Sequence, residues 1–299
     1  MSHFQNSVSF ENGSKSKVAF SKTEVLKKPQ LEKTLRINNP FNAPVYHEET
    51  VSSTMDIVRN LAARNESHGT VITADFQESG RGRFERPWAM ERGKNLIFSI
   101  LLRYGDISLI PQAITLRTGL AVSLAIEDLL PALSGKVKVK WPNDVMICSP
   151  EARTARKVAG ILTESDGKNV YIGVGVNVAQ RDFPQALRAR AGSLIQAFPQ
   201  LPENARFELL ERVLSRLYDE IEKPPAAPLC STASWRERLT RRLYKKGEQV
   251  TFAPGAADSN RLVEGFLSGI GAGGELLIIP NGEKAERAFL TGELRVYSC

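Results

Sequence analysis

The sequence predicts an α+β fold in which a mixed β-sheet domain precedes a small antiparallel β-barrel. Segments with helical spacing and segments of strand-like, β-branched character share residues 41–240. From residue 241 to residue 299, short apolar runs are separated by glycines, a pattern that is typical of a small barrel. Residues 1–40 are polar and lack a sustained apolar period, so we expect a flexible tail there.

The elements follow in order from these local signals. Met55, Val58, Leu61 and Ala62 have helical spacing, and residues 52–54 offer candidate N-caps. The further predicted strands are residues 69–77, 95–103, 137–147, 157–165 and 170–178, and the further predicted helices are residues 111–130 and 206–221, the last ended by Pro224 and Pro225. In the C-terminal region the runs KKGEQVTFA, RLVEGFLSGI, GELLIIP and KAERAFLTGELRVYS predict short strands.

The bulk composition is that of a soluble globular protein. The 299 residues suffice for one sizeable core plus a small second domain. No run of about 18 apolar residues occurs, which argues against a membrane span. The three cysteines lack metal-ligand or CxxC spacing, so we expect a reducing, cytoplasmic compartment, with an organelle transit peptide as the alternative for the Ser-rich start. The net charge of +7 is spread along the chain and indicates no particular partner.

The strongest local signal is the run Gly80-Arg81-Gly82-Arg83, followed by Arg86 and Trp88, between two predicted strands. Glycines let a backbone approach a ligand closely, and guanidinium groups present fixed donors suited to phosphate. The simpler interpretation is a surface loop with incidental arginines. Trp88 would be either a core anchor or a flat platform for a purine.

Three further runs place polar groups or glycines where a buried strand does not need them. Asn143 and Asp144 end the run KWPND, which would otherwise be a plain turn. Lys157 opens the apolar run KVAGILTE and would otherwise be a solvated strand end. Gly173 and Gly175 lie inside the strand-like run GVGVN, which favours close approach of a ligand or of another backbone.

The order and spacing of these runs carry more information than any one of them. SST, QESGRGRFERPW, KWPND, KVAGILTE and GVGVN, in this order, resemble the biotin–protein ligase family, and the resemblance covers about residues 42–299. It implies a mixed-sheet domain of the biotin/lipoate ligase type and a C-terminal SH3-like β-barrel. It also implies an enzyme that forms biotinyl-5′-AMP from biotin and ATP with Mg²⁺, then transfers biotin to a lysine of the biotin carboxyl carrier domain of a carboxylase, such as acetyl-CoA carboxylase.

The resemblance also implies roles for individual residues. The implied biotin-binding residues are Ser53, Thr54, Gln77, Gly80, Arg81, Lys157, Gly160 and Gly173. The implied ATP-binding residues are Arg83, Arg86, Trp88, Asn143, Asp144, Gly175 and Asn177. The implied catalytic residues are Lys157, Arg83, Arg81 and Asp144, with Asp144 also placing Mg²⁺. We further expect Gly80 and Gly82 to be hinges of a loop that closes over the adenylate.

One position departs from the family pattern. The family commonly has Ser-Thr-Asn in the first motif, whereas this chain has Met55 followed by Asp56. Methionine offers no strong hydrogen bond, so either biotin affinity is lower or Asp56 or a backbone group substitutes.

Three other functions compete with this interpretation. A lipoate or octanoate ligase would lack a need for the polar set Ser53, Thr54 and Gln77. A DNA-binding repressor with ligase activity would need an N-terminal helix-turn-helix, for which the first 40 residues show no apolar helix pair. A binding scaffold without catalysis is disfavoured by Lys157, Asp144 and the arginines. We therefore expect a monofunctional ligase, monomeric or homodimeric, without nucleic-acid or membrane partners.

Overall fold

The computed structural model describes residues 33–149, 154–222, 234–255 and 262–295. An eight-stranded sheet forms the centre of the larger domain, in the order β1-β2-β3-β4-β8-β7-β6-β5. Its strands are β1 (Lys33–Thr34), β2 (Val45–Val51), β3 (Val71–Gln77), β4 (Leu96–Arg103), β5 (Val137–Lys140), β6 (Asp144–Ser149), β7 (Thr154–Ser165) and β8 (Asn169–Val176). The β2–β3 pair is parallel and the other neighbours are antiparallel, so the sheet is mixed.

Helices cover both faces of this sheet. They are α1 (Thr54–Ala63), α2 (Ile114–Leu129), α3 (Leu194–Ala197), α4 (Ala205–Ile221) and α5 (Trp235–Arg242). The first helix begins at Ser53, whose hydroxyl accepts a hydrogen bond from the Met55 amide and so satisfies a free N–H of the first turn. Its apolar stripe packs on one face of the sheet against Ile72 and Leu101, while α2 and α4 bury the other face.

The most apolar helical stretch, Ile107–Leu129, meets the length and composition of a membrane-crossing segment. In the structure it comprises a 3-10 turn, Ile107–Leu109, and α2. Most side chains of α2 are buried against the sheet, against α4 and against the C-terminal strands. This helix is therefore accounted for as the core helix of a globular domain.

The C-terminal region forms a second, five-stranded antiparallel sheet. Its strands are β9 (Gln249–Pro254), β10 (Val263–Ile270), β11 (Leu276–Pro280), β12 (Arg287–Phe289) and β13 (Gly292–Arg295), in the order β12-β11-β10-β9-β13. Its apolar face packs on Leu116 and Leu120 of α2, on Trp141 and on Leu239 of α5. The predicted fold class, a mixed-sheet α+β domain with a small C-terminal β-domain, is confirmed.

Several predicted boundaries need correction. Residues 137–147 form two strands, β5 and β6, joined by a turn at Trp141, rather than one continuous strand. The short strand β1 lies within the segment assigned to the tail and pairs with β2. Residues 1–32 of that tail, and the prolines expected to end the helix at residue 221, lie outside the described residues.

Candidate active site

A cavity of about 1150 Å³ opens where the loop after β3, the strands β7 and β8, and the C-terminal sheet meet. Every site residue predicted from the sequence lines this cavity except Gly80. The Gly80 carbonyl instead accepts a hydrogen bond from the Trp88 amide and closes the base of the arginine-rich loop. We call residues 80–88 the arginine loop.

One end of the cavity carries a chain of hydrogen bonds among small polar side chains. The Thr54 amide and hydroxyl both donate to Gln77 Oε1, at 2.8 and 2.9 Å. Ser99 Oγ donates in turn to Thr54 Oγ1 at 2.8 Å. The buried N-terminus of α1 and the end of β3 bring these residues together, with buried Ser53 as the N-cap. This end of the cavity is suited to a small ligand head that needs several hydrogen bonds.

Met55 forms part of the apolar wall beside this polar set. It is buried, and a Cβ added at Gly173 would lie 2.9 Å from its sulfur. The neighbouring Asp56 carboxylate pairs with Arg81 at 2.8 Å and with Arg59 at 2.7 Å. The hydrogen bond from Arg81 lowers the pKa of Asp56 below its usual value. Asp56 therefore anchors the arginine loop to α1, and the hydrogen-bonding groups at this end come from Thr54, Gln77 and Ser99.

The arginine loop reaches across to the β5–β6 turn and to the C-terminal sheet. Arg83 donates to Asn143 Oδ1 at 3.2 Å and to the Gly292 carbonyl at 3.4 Å. Burial lowers the pKa of its guanidinium, while the nearby carboxylates of Asp144 and Glu293 oppose that shift. An arginine nevertheless stays charged at neutral pH, so Arg83 brings a partly desolvated cation to the cavity.

The expected hinge glycines show no unusual backbone conformation. The positive φ angles of this loop belong to Phe84 and Glu85, at 56° and 53°, and not to Gly80 or Gly82. The hinge hypothesis stays a prediction, and backbone strain in the loop is concentrated two residues further along the chain.

The floor of the cavity is made by an indole ring lying on two glycines. A Cβ added at Gly175 would lie 2.8 Å from Trp88 Cε2, and one added at Gly160 would lie 3.0 Å from Trp88 Cζ3. Gly175 therefore requires glycine as long as the tryptophan keeps its place, and a side chain at Gly160 would require the tryptophan to shift by a few tenths of an ångström. Among the described residues, the buried Trp88 Nε1 and the buried Asn177 Oδ1 have no hydrogen-bond partner. Unsatisfied buried polar atoms at a cavity floor favour a polar ligand there.

Lys157 and Asp144 form the closest ion pair of the cavity, with Nζ 2.6 Å from Oδ1. The pair is set by the register of β6 and β7, which places Asp144 opposite Gly160. The Lys157 Nζ also lies 5.5 Å from the centre of the Trp88 ring. Lys157 thus brings a cation next to the aromatic floor of the cavity.

Sequence reasoning missed several side chains that line the cavity or its polar end, among them Ser99, Lys140 and Arg190. Ser99 is hidden as a single polar residue within an apolar strand, which was its only signal. Lys140 lies in the KWPND run but was not assigned a role, and its burial lowers the pKa of its ammonium group. Arg190 lines the cavity from a segment without a recognisable pattern, whose backbone bonds to Lys157.

Residues 48–177 match the biotin/lipoate A/B protein ligase family. This stretch of the chain is therefore a domain of that family. The matched region of the family contains the first helix, the arginine loop and the strands that carry Lys157, Gly173 and Gly175.

Individual relatives extend the comparison. The bifunctional ligase/repressor BirA of Bacillus subtilis is 39% identical over 162 residues, covering 51% of this chain and 46% of that protein. The biotin–[acetyl-CoA-carboxylase] ligase of Mycobacterium tuberculosis is 33% identical over 177 residues, covering 58% of this chain and 60% of that protein. These alignments span about half the length of the curated relatives.

A solved structure matches over more of the chain. The biotin protein ligase from Aquifex aeolicus, in complex with biotin and ATP, has a TM-score of 0.67 and 27% identity. The match covers 85% of this chain and 99% of the other. Nearly the whole of that protein therefore has the same fold as the matched part of this chain.

Proposed function

We propose that this chain is an ATP-dependent biotin–protein ligase that makes biotinyl-5′-AMP and transfers biotin to a lysine of a carrier domain. The observation that carries the proposal is the continuity of one cavity. A polar end formed by Thr54 and Gln77, with Ser99 hydrogen-bonded to Thr54, shares this cavity with Lys157 and with the floor formed by Trp88. The relative from Aquifex aeolicus, which binds biotin and ATP, supports the same pair of ligands here.

The first step requires one anion to attack another. The biotin carboxylate oxygen would bond to the α-phosphorus of ATP, and the bond from that phosphorus to the bridging oxygen would break, releasing pyrophosphate. Lys157 and Arg83 would stabilise the negative charge at phosphorus, because both cations face one partly desolvated cavity. Lys140 and Arg190 line the same cavity and would neutralise the outgoing pyrophosphate. Holding both reactants in one cavity adds the advantage of proximity.

A magnesium ion would need phosphate oxygens of ATP as ligands in addition to the protein side chains of this site. Among the residues that the structure describes, no group of three or more acidic, His or Cys side chains could hold a metal by itself. Mg²⁺ is usually bound through one or two carboxylates together with substrate phosphates. Asp144 lies beside the cations and would supply the protein ligand, while the bound ion would neutralise phosphate charge.

The choice of biotin over a fatty acid follows from the polar end of the cavity. Lipoate and octanoate have no ureido group, so they would leave the Thr54–Gln77–Ser99 hydrogen bonds without a ligand partner. The acceptor would be a biotin carboxyl carrier domain, a proposal supported by the M. tuberculosis relative named for acetyl-CoA carboxylase. Absence of a DNA-binding module stays a prediction, because residues 1–32 lie outside the described part of the chain.

The decisive experiment supplies the purified protein with Mg²⁺ and ATP labelled at the α-phosphate, with biotin, lipoate or octanoate in parallel. We expect labelled acyl-AMP with biotin alone. Lys157→Gln is expected to lower its rate of formation by roughly 100-fold or more, because a charge-stabilising donor is lost. The control is Lys168→Gln, an exposed lysine in the β7–β8 turn. Adduct formation with octanoate or lipoate instead of biotin would contradict the proposal.

A further inference from the structure

A second cleft of about 310 Å³ lies directly beside the main cavity. The two spaces share a wall made of Arg83, Trp141, Pro142, Asn143, Ile161 and Leu162. Within this wall, Asn143 is fixed by donating from Nδ2 to the Ile161 carbonyl at 2.8 Å. Its other amide atom, Oδ1, receives the 3.2 Å hydrogen bond from Arg83. One residue of the arginine loop, Arg83, is therefore part of this wall and is hydrogen-bonded to another of its residues.

The second cleft differs from the main cavity in its chemistry. Arg83 is the one charged residue among those that line it, so the cleft lacks the cluster of cations that an anionic nucleotide needs. Leu116, Trp141, Ile161 and Leu290 supply apolar surface, while Thr115 donates a hydrogen bond to Thr163 at 3.0 Å. Trp141 is held in place by donating from Nε1 to the Gly274 carbonyl at 3.0 Å. Such a cleft fits an alkyl chain that ends in a polar group.

An exposed apolar side chain lies at the outer rim of the cleft. Leu290 stands at this rim with 77% of its surface exposed, the largest exposed fraction among the large apolar residues of the described chain. Leu290 extends the apolar lining of the cleft to the solvent-exposed surface, where a macromolecular substrate can reach it. Gly273 and Gly274 also line the cleft.

Resting on the proposed function, we propose that the second cleft is the access route of the acceptor lysine. The target lysine of a carrier domain lays its four methylene groups along Leu116, Ile161 and Leu290. Its amine passes the wall between Arg83 and Asn143 while the adenylate fills the main cavity. The neutral amine nitrogen then bonds to the acyl carbon of biotinyl-AMP, the bond from that carbon to the phosphate oxygen breaks, AMP leaves with the electron pair, and the amine proton goes to solvent.

The route predicts that the two half-reactions respond differently to filling the cleft. Thr163→Trp fills it from β7, and Leu290→Trp narrows its exposed rim. The control is Phe266→Trp, an exposed aromatic residue of the C-terminal sheet that lines neither space. Each folded variant is assayed for pyrophosphate release with biotin and ATP, for transfer to a bacterial biotin carboxyl carrier domain, and for reaction of the adenylate with hydroxylamine, a nucleophile too small to need the cleft.

We expect both cleft variants to lose at least about tenfold in kcat/KM for transfer, with pyrophosphate release and the hydroxylamine reaction within about twofold of the parent protein. If Thr163→Trp does not fold, Leu290→Trp tests the inference by itself, because Leu290 is exposed and its substitution leaves the core intact. Unchanged transfer in a folded variant would overturn the inference, as would an equal loss towards hydroxylamine. Failure of the parent protein to form biotinyl-AMP would overturn the proposed function itself, and this inference with it.

Discussion

Arg83 is the residue at which three parts of the molecule meet. It belongs to the arginine loop, donates to Asn143 in the β5–β6 turn, and donates to the Gly292 carbonyl of the C-terminal sheet. Its neighbours Phe84 and Glu85 adopt positive φ, a conformation that non-glycine residues rarely keep without support from their surroundings. The observed position of the loop is therefore stabilised by contacts that Arg83 makes far from it in sequence.

Arg83→Gly is expected to release biotinyl-AMP into solution. The substitution removes both contacts that close the loop and also removes a cation beside the phosphate. We expect the half-life of the bound adenylate to fall by at least about tenfold, measured as label retained on the protein after rapid gel filtration. Arg92→Gly serves as the control, because Arg92 lies in a turn outside the cavity and contacts Thr50 and Phe76. Equal retention in the two variants would contradict a closing role for Arg83.

At the scale of residues, the sequence motifs predicted those site residues whose type is unusual for the strand or loop around them. Lys157, Trp88 and the arginines break the pattern of a strand or loop, and the structure brings them into one cavity. Ser99 and Arg190 do not stand out, because one lies inside an apolar strand and the other in a segment without periodicity. Their positions depend on strand register and on a loop that passes next to Lys157, which local sequence does not encode.

At the scale of elements, helix α2 belongs to both hydrophobic cores. Leu116 and Leu120 pack into the core of the C-terminal sheet, whereas Ala121, Ala125 and Ile126 pack into the core of the larger sheet. A helix with apolar side chains on most of its circumference is typical of such a buried position. This explains why the stretch resembles a membrane segment in composition although it lies within a globular core.

Leu120→Ala is expected to destabilise the whole described chain in a single transition. Leu120 is fully buried, so truncation leaves a cavity and costs about 2–5 kcal/mol of unfolding free energy, measured by urea denaturation. Leu109→Ala provides the control, because Leu109 is 63% exposed and its truncation is expected to change stability by about 0.5 kcal/mol or less. A loss below about 1 kcal/mol at Leu120, or two separate transitions, would contradict the view of α2 as a shared core element.

Elements with strong periodicity were predictable, and those shaped by tertiary contacts were not. Strands β3, β4, β7 and β8 lie within the predicted ranges or within a few residues of them. Strand β2 was missed because its sequence, VYHEETV, is polar over much of its length. Helix α5 was missed for a similar reason, since Leu239 is its one buried residue. The break between β5 and β6 lies at a Trp-Pro step, where proline removes a donor from the ladder.

At the scale of the whole molecule, the C-terminal sheet is a wall of the candidate active site. Glu293, Leu294 and Arg295 of β13 line the main cavity, and Thr291 lines the second cleft. Glu293 accepts hydrogen bonds from Arg86 at 3.3 Å, across more than 200 positions of sequence. The C-terminal sheet therefore holds the arginine loop in its observed position, a role that no local motif predicts.

The Arg86–Glu293 pair is expected to make a modest, salt-dependent contribution to retention of the adenylate. The two side chains are 58% and 35% exposed, so the pair contributes about 1 kcal/mol or less, which corresponds to about fivefold at most. We expect Glu293→Gln to shorten the half-life of bound biotinyl-AMP by up to that factor at low salt, measured by gel filtration as for Arg83→Gly. At about 1 M salt the parent protein should approach the variant, because exposed charges are then screened.

The matched control is Glu283→Gln, which breaks another exposed Glu–Arg pair of the C-terminal region, formed with Arg287 away from the loop. This control is expected to leave the half-life unchanged at both salt concentrations. If Glu293→Gln behaves like Glu283→Gln, then Arg83 and its contact with Gly292 are sufficient to close the loop. If the loss at Glu293 persists undiminished in high salt, Glu293 acts through the shape of the cavity wall rather than through its charge.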